Sequence, residues 1–168
     1  MKQGLPKGSA VAVILVLATV LVAAILVYSY SPRTGPSGGT SGNLPGSDPR
    51  CQGSAACFTD AVTYVVDGDT LDVGSTRIRL ALVNTPEVGD PGYTEAKQFT
   101  AQTCPVGSQA LVDEDDGQTG GSYGRMVAVV YCAGVNLNAA LLSSGKAMLV
   151  THYCSVSEFA DEPWTGCP

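Results

Sequence analysis

Three short motifs contain the residue types that could do chemistry, in the order VDGDT at 66–70, RLALVNTPE at 79–87 and YGR at 123–125. The first motif offers carboxylate oxygens of the kind that Ca²⁺ prefers. Glu87 could orient and deprotonate a water molecule, and the guanidinium groups of Arg79 and Arg125 could hold phosphate oxygens as charge builds up on them. The ordered set therefore predicts a phosphodiesterase, a hydrolase that acts on nucleic acid.

Each motif also has a simpler interpretation when it is taken alone. The Asp-Gly pair at 67–68 is a common hairpin turn, although such a turn can still present Asp69 as an oxygen ligand. Arg79, Glu87 and Arg125 would each pass for an ordinary surface charge. Their presence together, and not any one of them, favours a phosphodiester site.

Hydrophobic patterning predicts the elements that position these motifs. It predicts strands at 61–66, 71–73, 76–83, 109–112, 126–131 and 147–150, and helices at 94–103 and 138–144, with a brief third helix near 157–160. Val62, Tyr64 and Val66 alternate on one face of the first strand, and Asn138 is placed to cap the second helix. The order of elements predicts an α+β fold built on a five-stranded OB-type β-barrel, although other α+β arrangements fit the same order.

The three motifs together resemble the thermonuclease (staphylococcal nuclease-like) family, whose fold is an OB-type barrel with helices. The resemblance runs from about residue 60 to residue 150. It implies that Arg79 and Arg125 bind the phosphate, that Glu87 is the base, and that the Asp69 side chain and the Thr85 carbonyl are Ca²⁺ ligands. Members of the family cut DNA and RNA to leave 3′-phosphates, so the resemblance implies an endonuclease.

The chain departs from the family pattern at several positions. Asn84 replaces a second calcium-binding aspartate, so Ca²⁺ affinity is expected to fall with the lost charge. Ser122 replaces a phosphate-contacting lysine. By the resemblance, Tyr123 and Tyr153 contact the substrate, but Thr151 replaces a second tyrosine.

The end of the chain also departs, because nothing in it corresponds to the family's long basic C-terminal helix. We expect residues 154–167 to form a disulfide-stapled loop against which Trp164 packs.

The N-terminal part of the chain predicts a membrane anchor. Residues 9–30 contain no charged residue and are long enough to cross a bilayer, although a cleaved signal peptide is the alternative. Lys2 and Lys7 before the span place residues 1–8 in the cytoplasm and the remainder outside. Residues 31–50 are rich in Ser, Gly and Pro and predict a disordered linker, which leaves residues 51–168 as the nuclease-like domain.

Six cysteines lie in that domain: Cys51, Cys57, Cys104, Cys132, Cys154 and Cys167. An even number in an exported chain predicts three disulfides, for which fifteen pairings are possible. The pairing that we predict joins neighbours along the chain, namely 51 with 57, 104 with 132, and 154 with 167.

The charge of the chain argues against a broad nucleic-acid-binding face. Nine Lys and Arg stand against fifteen Asp and Glu, a net charge of −6. Nucleic acid, if bound, must therefore be held locally and with help from a cation. The acidity and Asn84 leave an alternative open, a non-catalytic OB-type module that binds nucleic acid or another ligand. No protein partner can be inferred from the sequence, and the membrane is the only other contact predicted.

Overall fold

The computed structural model describes residues 48–168. The predicted anchor at 9–30, and all but the last residues of the predicted linker, lie outside this range. Within residues 48–168, no helix is both long enough and apolar enough to cross a membrane. The predicted domain boundaries stay predictions.

The described chain folds as a closed five-stranded barrel with two α-helices. The described residues form eight strands, of which five make the barrel: β1 Cys57–Val65, β2 Thr70–Val73, β3 Thr76–Leu80, β4 Val83–Asn84, β5 Gln109–Glu114, β6 Met126–Cys132, β7 Val135–Asn136 and β8 Met148–Leu149. Its helices are α1 Tyr93–Thr103 and α2 Leu137–Ser143, with 3₁₀ turns at Asp116–Gln118, Thr151–Tyr153 and Glu158–Asp161. The predicted OB-type barrel is confirmed.

Five strands form the barrel wall. β1, β2 and β3 make an antiparallel meander, β5 pairs with β1, and β6 pairs with β5. A parallel pairing of β3 with β6 closes the wall. Inward side chains from all five strands and from both helices fill the interior, and their burial supplies the main favourable free energy of folding.

The prediction of which side chains of the first strand point inward is partly wrong. Val62 is buried as expected, but Tyr64 is 55% exposed and Val65 points inward instead. The pairing of β1 with β2 shifts register between Val62 and Tyr64. A bulge of this kind inserts one residue and reverses the alternation beyond it.

The predicted strand at 76–83 ends early. After Leu80 the chain turns, and Leu82 adopts a left-handed backbone with φ of 62°. Val83–Asn84 then forms β4, which leaves the barrel and pairs with β8. Leu82 is buried in a second apolar cluster with Ala81, Val127, Val129 and Phe159, and that packing offsets the backbone strain.

The predicted helix cap is also wrong. Asn136, not Asn138, caps α2, because its side chain accepts a hydrogen bond from the backbone N–H of Ala139 at 2.9 Å. Asn138 is buried, and its amide bonds three barrel groups: it accepts from Val130 N and donates to the carbonyls of Ala81 and Ala128. It therefore ties α2 to the barrel.

Three disulfides staple the domain, in the pairs that we predicted: Cys51–Cys57, Cys104–Cys132 and Cys154–Cys167. The last encloses the C-terminal segment that includes Phe159. Trp164 packs on the second apolar cluster, as expected for a stapled loop.

Candidate active site

Arg79 is the centre of the candidate site. It lies on β3, and its side chain is only 15% exposed. Its Nη1 donates to the carbonyls of Val83 and Leu80 at 2.6 and 3.2 Å. Burial lowers the pKa of Arg79; the negative charge of Asp69 partly opposes this lowering, and the positive charge of Arg125 adds to it.

Two predicted metal ligands hold the outer part of this guanidinium. Arg79 Nη1 forms a salt bridge with Asp69 Oδ1 at 3.2 Å, and Arg79 Nη2 donates to Asn84 Oδ1 at 3.0 Å. The third predicted ligand, the Thr85 carbonyl, accepts from Asn84 Nδ2 at 3.4 Å. Asp69, Asn84 and Thr85 are therefore brought together as the sequence predicted, with a positively charged side chain between two of them.

The Asp69 carboxylate is fixed by its neighbours. Its Oδ2 accepts from the backbone N–H of Thr85 at 2.7 Å and from the Thr85 hydroxyl at 3.1 Å, and its Oδ1 accepts from the Thr70 hydroxyl at 3.2 Å. Beside it, burial and the Asp69 charge raise the pKa of Asp67. These hydrogen bonds hold a carboxylate ready for a cation.

The donor set fits a calcium ion in its chemistry. A carboxylate, an amide oxygen and a backbone carbonyl are the hard oxygen ligands that Ca²⁺ takes, and the Arg79 guanidinium shows that two of them already accept a positive partner. The set carries less negative charge than one with two aspartates, because Asn84 is neutral.

The loop that carries Asp69 is held by α1. An ideal Cβ on Gly68 would lie 2.6 Å from Thr85 Oγ1 and 2.8 Å from the Cβ of Ala96 on α1, so a side chain has no room there. The Thr100 hydroxyl, also on α1, donates to the Gly68 carbonyl at 2.6 Å. The Asp-Gly-Asp turn is therefore both a turn and a packed platform for the site.

Arg125 lies just before β6 and is oriented by two neighbours. Its Nε donates to the Ser122 carbonyl at 3.0 Å and its Nη2 to the Ser122 hydroxyl at 3.2 Å, while its Nη1 reaches Thr70 Oγ1 at 3.4 Å. Within residues 48–168 it forms no salt bridge. Its charge is therefore available to an anion.

Glu87 follows β4 and is exposed. Within the described range, its carboxylate accepts no hydrogen bond and forms no salt bridge, although its negative charge slightly opposes the lowering of the pKa of Arg79. A carboxylate that is near an arginine but not bonded to it can hold a water molecule.

A cavity of about 730 Å³ brings the predicted residues together. Its lining includes six of them: Arg79, Asn84, Glu87, Tyr123, Arg125 and Tyr153. Asp69 and Thr85 are buried behind this wall, in contact with Arg79 and Asn84 respectively. Tyr153 enters from the 3₁₀ turn that precedes the C-terminal loop, and Val156 of that loop completes the wall.

Two residues with clear roles escaped the sequence analysis. The Thr70 hydroxyl bonds both Asp69 and Arg125, and so it links a predicted cation ligand to a predicted phosphate-binding arginine. Ser122, noted only as a lost lysine, orients Arg125 through its carbonyl and its hydroxyl. Thr70 lies inside the first motif and Ser122 directly precedes the third, and these positions were the only sign in the sequence that either residue could belong to the site.

The fold and the cavity define a class of protein, an OB-type barrel that carries a carboxylate and two arginines in one cleft. The family described as staphylococcal nuclease homologue matches residues 77–162, and the chain belongs to that family. The match contains Arg79, Glu87 and Arg125 and begins after Asp69.

The chain is also similar to a curated relative. An uncharacterized protein of Bacillus anthracis is 32% identical over 98 residues, which cover 52% of this chain and 45% of that protein. The chain thus spans less than half the length of this curated relative.

Proposed function

We propose that this protein is a nuclease, an endonuclease that hydrolyses phosphodiester bonds of DNA, RNA or both. The observation that supports it most directly is the cavity lined by Glu87, Arg79 and Arg125, in which the Glu87 carboxylate has no partner among residues 48–168. Folding alone gives no reason to line one cavity with a carboxylate and two arginines.

In the proposed reaction, Glu87 orients a water molecule and accepts its proton. The water oxygen forms a new bond to phosphorus, and the bond from phosphorus to the 5′ oxygen of the next nucleotide breaks. That oxygen takes a proton from solvent, and a 3′-phosphate is left. Glu87 thereby supplies general base catalysis, typically worth about 10²- to 10⁴-fold in rate.

The two arginines hold the phosphate as its charge grows. Arg125 has no compensating salt bridge among residues 48–168 and is already oriented by Ser122 and Thr70. Arg79 retains its Nε–H, which donates no hydrogen bond within residues 48–168, and one Nη2–H. Preorganised donors of this kind stabilise the pentavalent transition state more than the ground state.

Asp69, Asn84 and the Thr85 carbonyl would hold a calcium ion. Bound there, Ca²⁺ would supply polarisation of a phosphoryl oxygen. We expect its binding to be weak because Asn84 brings no charge.

The proposed location is the outer face of a cell membrane, with a single-pass anchor at residues 9–30 and the N-terminus inside. The three disulfides support an oxidising exterior. The nucleic acid substrate would then be extracellular.

A second candidate is a binding module of the same fold without catalysis. The engagement of Arg79 by Asp69 and Asn84 favours it, because this pairing satisfies the polar groups without substrate or metal. The acidity of the chain favours it as well. The two candidates differ in whether phosphodiester bonds are cut.

The test uses the full 168-residue chain, purified with its disulfides intact in mild detergent. Single-stranded DNA and RNA are incubated with it in millimolar Ca²⁺ or in EDTA. We expect Ca²⁺-dependent cleavage to 3′-phosphate products, and a loss of at least about 100-fold in Glu87→Gln. Glu95→Gln, an exposed acid on α1 outside the cavity, is the matched control and should cleave normally.

Absence of cleavage by a folded wild-type chain that still binds nucleic acid would favour the binding module. Equal rates for the Glu87 and Glu95 variants would remove Glu87 from the proposed role. Circular dichroism of each variant establishes that the fold is retained.

A further inference from the structure

A second cavity adjoins the candidate active site. Its volume is about 400 Å³, and its lining is Asp72, Gly74, Ser75, Arg77, Tyr123, Gly124 and Arg125. Tyr123 and Arg125 line the first cavity as well, so the two cavities meet along these residues. The reaction proposed above uses none of the remaining residues in the second cavity.

Arg77 is held in a fixed orientation within this second cavity. Its Nε donates to Asp72 Oδ1 at 2.7 Å and its Nη2 to Asp72 Oδ2 at 2.9 Å, an arrangement that leaves Nη1 unused among residues 48–168. The side chain is 51% exposed. Asp72 therefore orients the guanidinium without consuming it, and Nη1 can donate to a phosphate oxygen.

Arg77 lies on the same face of β3 as Arg79, which lines the first cavity. It precedes Arg79 by two residues on β3, and alternate side chains of a strand point to the same face. Two residues of strand advance about 6.6 Å. Successive phosphates of one extended nucleic acid strand can therefore meet Arg77 and Arg79 in turn.

Tyr123 forms the boundary between the two cavities. It occupies the first central position of a two-residue turn closed by reciprocal hydrogen bonds between Ser122 and Arg125 at 2.8 and 3.0 Å. Its φ is 52° and that of Gly124 is 77°, a left-handed conformation that a tyrosine adopts only under constraint. Its side chain is fully exposed, so packing does not explain it.

An aromatic ring presented in this way suits the face of an unpaired base. Proteins that bind single strands stack bases on exposed aromatic rings beside a charged path for the backbone. A duplex offers no such face, and a domain this acidic lacks the basic surface that a duplex requires.

We propose that the second cavity is a subsite for the nucleotide next to the scissile phosphate, with its base on Tyr123 and its phosphate on Arg77 Nη1. This proposal rests on the proposed nuclease function and adds a second nucleotide subsite to it.

The test measures binding in a Glu87→Gln background, which prevents turnover during the assay. The full chain with Ca²⁺ is titrated with thymidine 3′-monophosphate, a tetrathymidylate and a hairpin duplex. Arg77→Ala should weaken tetrathymidylate binding about 10-fold and leave the mononucleotide unchanged. It should also reduce the slope of log K against log salt concentration by about 0.7, the value of one single-strand phosphate contact.

Arg50→Ala is the matched control for the lost charge. Arg50 forms the same two-bonded pair, with Asp48 at 2.9 and 2.7 Å, and it lines neither cavity. It should change neither the affinity nor the salt slope. Tyr123→Leu should weaken tetrathymidylate binding about 10-fold, whereas Tyr123→Phe should retain it, because stacking requires the ring.

The outcomes separate the two proposals. If the parent binds tetrathymidylate and Arg77→Ala alters neither its affinity nor its salt slope, the subsite is overturned while the nuclease proposal stands. Tighter binding of the duplex than of the single strand also overturns the subsite, because a paired base has no free face to stack on Tyr123. A folded parent that binds no oligonucleotide overturns the subsite and the proposed function together.

Discussion

Asp113 should make the domain less stable as the pH rises from about 4 to about 6. The residue is fully buried on β5, and its Oδ2 accepts a hydrogen bond from the backbone N–H of Gln52 at 2.8 Å. Its Oδ1 is buried and has no hydrogen-bond partner within residues 48–168. One of its oxygens lies within 4.8 Å of both sulfurs of the Cys51–Cys57 disulfide, which offers no compensating charge.

Burial raises the pKa of Asp113 from 3.8 to about 6, against the opposing effect of the Gln52 hydrogen bond and with help from nearby carboxylates. A carboxyl group whose pKa is higher in the folded state stabilises the fold when protonated. That contribution is fully present below the unfolded pKa and is lost as the pH rises through the folded pKa. The shift of about two pKa units corresponds to about 3 kcal/mol.

Asp113→Asn removes the charge and keeps the size, so the variant should avoid this loss. We expect its free energy of unfolding at pH 8 to exceed that of the wild type by about 1–3 kcal/mol, reduced from the full value by the amide that then lacks a partner. At pH 4 the variant should be no more stable than the wild type, because Asp113 is then protonated in the folded state and only the penalty of the amide remains. The measurement is urea unfolding of the full chain between pH 4 and pH 8.

Exposed Asp161→Asn serves as the control and should follow the wild type at every pH. Parallel curves for the wild type and Asp113→Asn would refute the reasoning. Glu158 contributes a second, similar dependence, because burial raises its pKa from 4.5 to about 7, so some loss of stability with rising pH should persist in the variant. Asp72 and Asp116 have lowered pKa values and act only below about pH 4.

Three further predictions follow from the site and its supports. Gly68→Ala should cost about 1–3 kcal/mol in thermal unfolding, because its Cβ would lie 2.6 Å from Thr85 Oγ1. Asn84→Asp should tighten Ca²⁺ binding roughly tenfold in isothermal titration calorimetry, since ligand charge tunes this affinity, and an unchanged affinity would remove Asn84 from the ligand set. Replacing Cys154 and Cys167 by serine opens a loop of sequence separation 13 and should cost about 3 kcal/mol in urea unfolding, with a normal urea midpoint as the contrary result.

Most of the fold was predictable because its strands and helices follow local patterns. Short stretches of sequence determine the alternation in β3, the Asp-Gly turn before β2 and the helix from Tyr93 to Thr103. The errors have non-local causes. The bulge between Val62 and Tyr64 depends on pairing with β2, and the break at Leu82 depends on a cluster that the C-terminal segment completes.

The candidate site was predictable in its membership but not in its contacts. The motifs identified Arg79, Glu87 and Arg125, and the structure brings them to one cavity. Nothing in the motifs indicated that Arg79 would bond to Asp69 and Asn84, because that contact depends on how β3 and the following turn bring their side chains together.

The closing pair of strands links the stability of the barrel to the proposed chemistry. In the parallel pairing of β3 with β6, Arg79 lies opposite Val127, and Arg125 immediately precedes the first paired residue of β6. Two arginines that are far apart in the sequence therefore converge only when the barrel closes. Thr70, which sits opposite Arg79 in the neighbouring pairing of β2 with β3, bonds Arg125 across the same junction. The strands that close the barrel also assemble the proposed anion site, so substitutions that open this junction should abolish stability and phosphate binding together. Glu87 lies on a loop outside the barrel wall, and we expect its replacement to remove the proposed chemistry alone.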